Sequence, residues 1–215
     1  AGTAELVAVE PGPELRLADG RAVRLAGVHL PGEDGMLRGL VGGSVTLEPQ
    51  EPPIDRWGRL RAQVRGADGG WVQELLVRQG AAVVEPAGDV DDTVLARLLA
   101  LERAARAAAV GIWREGAVGP WPAGRVVAEP WTYGLVQGRV LSVARARGLV
   151  YLNYGRRWRE DFTVRVEEAV ARRLARKGLD VTALEGRNLL VRGTLFLENG
   201  PMIELVHPAQ IEVLE

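Results

Sequence analysis

Cysteine is missing from the chain, which excludes disulfides, thiolate catalysis and zinc–thiolate sites. Lysine is nearly missing too: Lys177 stands alone, so the positive charge is almost all arginine. Arginine forks suit phosphate, although a GC-rich genome produces the same skew. Histidine occurs twice, at His29 and His207, and neither stands at metal-ligand spacing. Aromatic residues make up only 5% of the chain, and no apolar run approaches the ~18 residues that span a bilayer. Charge of one sign is also lacking. The 27 basic and 28 acidic residues leave a formal net charge of -1, so no overall basic field attracts nucleic acid. Any polyanion site must therefore be a local arginine cluster, and no cofactor is expected. The chain opens on Ala1 rather than methionine, as one trimmed of a leader does, and a periplasmic or exported location is expected over a cytoplasmic one.

What is present has the balance of a globular protein, 47% apolar and 26% charged over 215 residues, a length that favours two domains. The strongest local signal runs from Leu15 to Pro31. Leu15 and Leu17 alternate with polar residues, as do Val23 and Leu25, and Asp19-Gly20 between them predicts a tight hairpin. Arg24 then faces away from Val23 and Leu25. Strands are expected over 5–10, 14–18, 21–28, 44–48, 60–65 and 81–85, with Glu48 to Asp55, which holds three prolines, as a loop. A helix is expected from Trp71 to Gln79, stopped by Gly80. A second begins behind Asp91-Asp92-Thr93 and carries Val94, Leu98, Leu101 and Ala105 as its apolar stripe. Residues 115–132, rich in proline and glycine, read as a linker whose Trp121 and Trp131 pack down in part. Beyond them, strands at 135–144, 149–154, 161–166, 188–197, 202–206 and 210–214 surround a helix at 167–177. That is the order of an OB barrel.

Four stretches occur in order in the first half: Arg24 to Pro31, Asp55-Arg56-Trp57-Gly58-Arg59, Trp71 to Gly80, and Glu102 with Ala105-Arg106 and Gly111-Ile112-Trp113. Together they resemble the staphylococcal nuclease (thermonuclease) family over residues 5–114. The resemblance implies a mainly β fold with helices, an SNase-like OB barrel over 1–114. After the linker, 133–215 is expected to form a second OB-like barrel.

The resemblance also implies a site. Active members hold calcium with two aspartates and a backbone carbonyl, position a water with a glutamate, and clamp the phosphate with two arginines. Both arginines have counterparts, Arg24 and Arg59. The acids do not: their positions fall at Pro13, His29 and Gly32. Calcium wants several carboxylate oxygens, and neutral His29 is a poor substitute, so no metal is expected and the site reads as a phosphate clamp without its ion. An equally weighted reading pairs Arg24 and Arg59 with Glu14, Glu33 or Asp55 as structural ties.

In the second barrel, Tyr154, Trp158, Arg156, Arg157 and Arg159 combine aromatic and guanidinium groups, the ingredients of single-strand binding. The stretch from Tyr151 to Thr163 resembles a module of bacterial nuclease-like proteins. Tyr151 and Phe162 are expected to fill the barrel, and Arg172, Arg173 and Arg176 to form the solvent face of a helix. The function expected is a catalytically degenerate thermonuclease-like protein that binds single-stranded nucleic acid or another polyanion through arginines. Two alternatives stand beside it. One is an active calcium-dependent phosphodiesterase with Glu14, Glu33 or Asp34 as relocated ligands; the other is a structural module that contacts a protein partner.

Overall fold

The computed structural model describes residues 2–10, 14–32, 35–86, 90–126, 129, 131–157 and 159–214. The chain divides into two units, residues 1–117 and 118–215. In the first, strands β1 (Gly2–Glu10), β2 (Glu14–Leu17), β3 (Ala22–Leu25) and β4 (Val28–His29) lead to a single helical turn, α1 (Gly35–Arg38). Then follow β5 (Ser44–Ile54), β6 (Leu60–Arg65), α2 (Val72–Arg78), β7 (Val83–Val84), α3 (Asp92–Ala107) and α4 (Ile112–Glu115). Five of these strands close a barrel in the order β1-β2-β3-β6-β5. Only the β3–β6 contact is parallel; β4 and β7 form a separate antiparallel ribbon.

Period-2 alternation fills the barrel. Leu6, Leu15, Leu17, Val23, Leu25, Val45, Leu47, Ala62 and Val64 point inward and are buried. Each such leucine contributes about 1.5–3 kcal/mol. The proline-rich stretch is not the expected loop, because β5 continues through it to Ile54. Its register with β6 slips between Pro49 and Ile54, so the prolines sit where the ladder is already irregular.

Helix α3 is capped as the sequence predicts: the Asp91 carboxylate accepts from the backbone N–H groups of Thr93 (2.8 Å) and Val94 (3.3 Å). Those bonds, Thr93 first, hold its carboxyl below the ordinary value. The buried stripe differs from the expected one. It is Leu95, Leu98, Glu102 and Ala105, with Val94 and Leu101 only half-buried. Glu102 belongs inside because its carboxylate accepts the N–H of Val84 at 2.7 Å and faces Arg106 at 3.9 Å. Gln73 of α2 is equally buried; it accepts the Val64 N–H (3.1 Å) and donates to the Ala62 carbonyl (2.9 Å).

The end of α2 meets the end of α3 at a glycine seam. A Cβ on Gly80 would lie 2.3 Å from the Val110 carbonyl oxygen, and one on Gly111 would lie 2.2 Å from that of Gly80. The contact is sealed by Ile112 N–H donating to the Gly80 carbonyl at 2.9 Å.

The second unit begins inside the stretch expected as a linker. Val118 is buried and its carbonyl accepts the Leu135 N–H, while β8 (Trp121–Pro122) pairs in parallel with β9 (Tyr133–Arg139). The Trp121 ring lies over Gly134, where a Cβ would come within 2.3 Å of it. The expected strand 135–144 is broken at Val140-Leu141 into β9 and β10 (Ser142–Ala146). There follow β11 (Leu149–Asn153), β12 (Thr163–Glu167), α5 (Glu168–Arg176), β13 (Asn188–Leu197), β14 (Pro201–Glu204) and β15 (Ile211–Leu214). The sheet runs β10-β11-β12-β14-β13-β9-β8, with β15 added to β13 and only the β12–β14 and β8–β9 contacts parallel. Because β9 and β10 are consecutive, this order retraces that of the first barrel. Among the described residues no helix is long and apolar enough to cross a membrane.

Candidate nucleic-acid interface

The β2–β3 hairpin turns at Asp19-Gly20, where Gly20 has a φ of 85° that glycine alone adopts freely. Leucine and valine take its inner face, leaving Glu14, Arg16 and Arg24 on the outer one, with Glu14 directly opposite Arg24. The turn before β6 adds to the same side. Asp55 organises it: one carboxylate oxygen accepts the N–H groups of Trp57 (2.9 Å) and Arg59 (3.0 Å), and the other accepts Arg59 Nε (2.8 Å). Burial pushes the Asp55 carboxyl up, but these hydrogen bonds outweigh it and hold it below its ordinary value.

Arg24 and Arg59, separate in sequence, are brought to one open cleft of about 550 Å³. Its walls include Glu14, Arg16, Arg21, Arg24, Trp57 and Arg59. Trp57 is 61% exposed, with the guanidinium carbons of Arg56 and Arg59 4.0 and 4.8 Å from its ring centroid. Each arginine also holds a carboxylate. Arg59 reaches Asp55 at 2.8 Å and Glu14 at 3.5 Å; Arg16 reaches the other oxygen of Glu14 at 2.8 Å; Arg21 reaches Asp19 at 2.7 Å. The partner of Arg24 is Glu85, at 2.5 Å, which the sequence reading did not consider. Its signal was the end of Val83-Val84-Glu85: two buried valines pair with β4, and the Glu85 N–H donates to the Gly27 carbonyl, carrying the side chain beside Arg24.

His29, on β4, is half-buried near this pair. Burial lowers its pKa first; the Glu85 charge opposes that, and the Arg24 charge adds to it. A neutral imidazole is the favoured form there.

Calcium requires several carboxylate oxygens free to turn toward one point. Among the described residues no three His, Cys, Asp or Glu side chains come together to hold an ion. Both oxygens of Glu14 face arginine. Among the described residues, then, the donor set does not fit calcium. Pro13, Glu33 and Asp34 lie outside the described residues.

In the second unit, Arg156, Arg157 and Arg159 are exposed on the turn after β11. Arg157 pairs with Glu160 at 2.8 Å and donates its N–H to Asp161 at 2.7 Å. Trp158 lies outside the described residues. The aromatic parity differs from expectation. Val150 and Leu152 point inward, and the same alternation turns Tyr154 in and Tyr151 out. Tyr154 packs on Phe162, ring centroids 5.0 Å apart, and burial raises its pKa. Its hydroxyl has no hydrogen-bond partner among the described residues. Phe162 fills the core as expected. Arg172, Arg173 and Arg176 are exposed on α5.

Residues 32–115 match the family model described as staphylococcal nuclease homologue. The first unit thus carries an SNase-like domain. The matched segment contains Arg59 but not Arg24, which joins it through closure of the barrel. No curated protein matches the chain.

Proposed function

We propose that the SNase-like domain binds nucleic acid or another polyanion through Arg24 and Arg59, without metal-dependent cleavage. The observation that carries this reading is the cleft itself, lined by four arginines and an exposed tryptophan, with Glu14 as the one carboxylate on its wall among the described residues. Guanidinium forks donate bidentately to phosphate oxygens, so a phosphate competes with the part-buried carboxylates of Glu85 and Asp55 for the same N–H groups. Among the described residues the donors around the arginines do not suit a calcium ion, which supports binding without a metal-activated water. The exposed turn of Arg156, Arg157 and Arg159 is the second contact in this reading, and Tyr154 supports it from beneath.

The test is an assay of cleavage and of binding on single- and double-stranded DNA and RNA, with calcium and with chelator. Expected is salt-sensitive binding without cleavage, weakened in Arg24→Ala/Arg59→Ala. Chelator-sensitive cleavage lost in Arg59→Ala would instead establish the phosphodiesterase. The ion pairs of Arg24 and Arg59 favour a second reading, in which they only tie the barrel. In that case the double variant melts at a lower temperature and binds as the wild type does.

A further inference from the structure

We propose that the cleft holds two phosphate subsites, and that Arg16 and Arg21 at the far end of the β2–β3 hairpin form the second. The ligand is then a single-stranded nucleic acid laid along the hairpin. This rests on the function proposed above and adds to it the length and class of the ligand.

The register sets the geometry. Glu14 stands opposite Arg24, and Arg16 stands opposite Ala22, so Arg16 is one diagonal step from Arg24 on the same outer face. Such a step is about 7–8 Å, of the order of the separation between neighbouring phosphates on an extended strand. Arg21 reaches the same cleft from just before β3. Both are more open than the first pair: their side chains are 39% and 52% exposed, against 25% for Arg24 and 16% for Arg59. Their carboxylate partners are close in sequence, Glu14 to Arg16 and Asp19 to Arg21. A phosphate arriving at this end displaces a solvent-screened pair at Arg21–Asp19 and, at Arg16, the part-buried carboxylate of Glu14.

Glu14 joins the two ends. One of its oxygens faces Arg16 and the other Arg59, so a single carboxylate occupies a guanidinium of each subsite. A strand bridging the subsites replaces that carboxylate with two phosphates. Trp57, 61% exposed on the same wall, takes a base on its ring in exchange for the Arg56 guanidinium that lies there, and a base is what a paired duplex cannot present and an inorganic polyphosphate does not possess. The outer face of the second and third strands is also where OB barrels take oligonucleotides.

The experiment measures binding of labelled oligothymidylates, from dinucleotide to octanucleotide, to the full chain across a salt series. Affinity is expected to rise steeply once the strand spans both subsites. Arg16→Ala/Arg21→Ala should lose that rise, bind the octanucleotide roughly tenfold more weakly, and lower the salt slope by about 1.4 for two lost contacts. Glu14→Gln, which frees both subsites of their shared carboxylate, should tighten binding several-fold. Circular dichroism establishes that each variant is folded. If Arg16→Ala/Arg21→Ala matches the wild type in affinity and slope while Arg24→Ala/Arg59→Ala is impaired, the second subsite is overturned and the function above stands. If the wild type binds no oligonucleotide, both fall. Tripolyphosphate that competes as well as the octanucleotide overturns the single-strand assignment.

Discussion

The two units pair their strands in the same order yet present opposite surfaces at equivalent places. In the first, the outer face of β2 and β3 belongs to a cleft whose walls carry, among the described residues, four arginines and one carboxylate. In the second, β11 and β12 occupy those positions and carry Tyr151, Asn153 and Arg165. There Arg165 is bracketed by Glu198 at 2.7 Å and Glu204 at 3.5 Å and lies over Phe196 at 4.9 Å. Two carboxylates against one guanidinium repel a phosphate. The interiors, by contrast, solve one problem alike. Each unit buries a glutamine that satisfies strand-end backbone groups: Gln73 in the first, and Gln210 in the second, which accepts the N–H groups of Val206 and His207 and donates to the carbonyls of Arg192 and Glu204. Pairing order dictates where polar clamps are needed inside. The outward residues, free of that demand, decide what a unit does.

The sharpest way to separate the units is to remove a buried charge present in only one. Glu102→Ala strips the Val84 N–H of its acceptor and leaves Arg106 without its buried counter-charge. It should cost about 3–5 kcal/mol, with amide exchange rising first in β7 and α3; protected amides there would show that the interior of the first unit does not depend on this acid.

A smaller effect tests the Asp55 turn, which has no counterpart described in the second unit. Because the folded carboxyl lies below its ordinary value, Asp55 stabilises fully above the ordinary carboxylate range, and that contribution is lost as the pH falls through the folded value. Asp55→Asn should cost on the order of 1 kcal/mol at neutral pH. Urea midpoints of the two proteins should converge in acid; a constant gap across pH would locate the effect elsewhere.

The smallest change is in the second unit. Tyr154→Phe removes a buried hydroxyl that has no partner among the described residues. Stability should hold or rise by up to about 1 kcal/mol, read from the melting temperature. A clear loss would reveal a hydrogen bond to that hydroxyl and recast the turn above it.

Much of this was legible in the sequence. Asp19-Gly20, the alternating leucines and valines, and the Asp91 cap act locally, so local pattern reveals them. So does the outward direction of Arg24. The misses share a physical cause, which is that distant residues decide them. Nothing near Glu102 shows that Val84 needs an acceptor, and the stripe was therefore placed on Leu101. The prolines of 49–53 argue for a loop until β6 is laid beside them. Tyr151 and Tyr154 exchanged roles because both looked aromatic and apolar, while Val150 and Leu152 fix the parity. Glu85 was invisible as the partner of Arg24 because only the β4–β7 ribbon brings them together.

The glycine seam between the ends of α2 and α3 is a remote handle on the cleft. Nothing larger than hydrogen fits at Gly80 or Gly111, since each faces main chain that cannot swing aside. From Gly80 the chain runs through β7 to Glu85, the carboxylate resting on Arg24. A larger side chain at either glycine is expected to disturb the segment that carries Glu85 to Arg24. The two glycines thereby tie the packing of a helix junction to the ion pair at Arg24, which the cleft-wall residues alone do not determine.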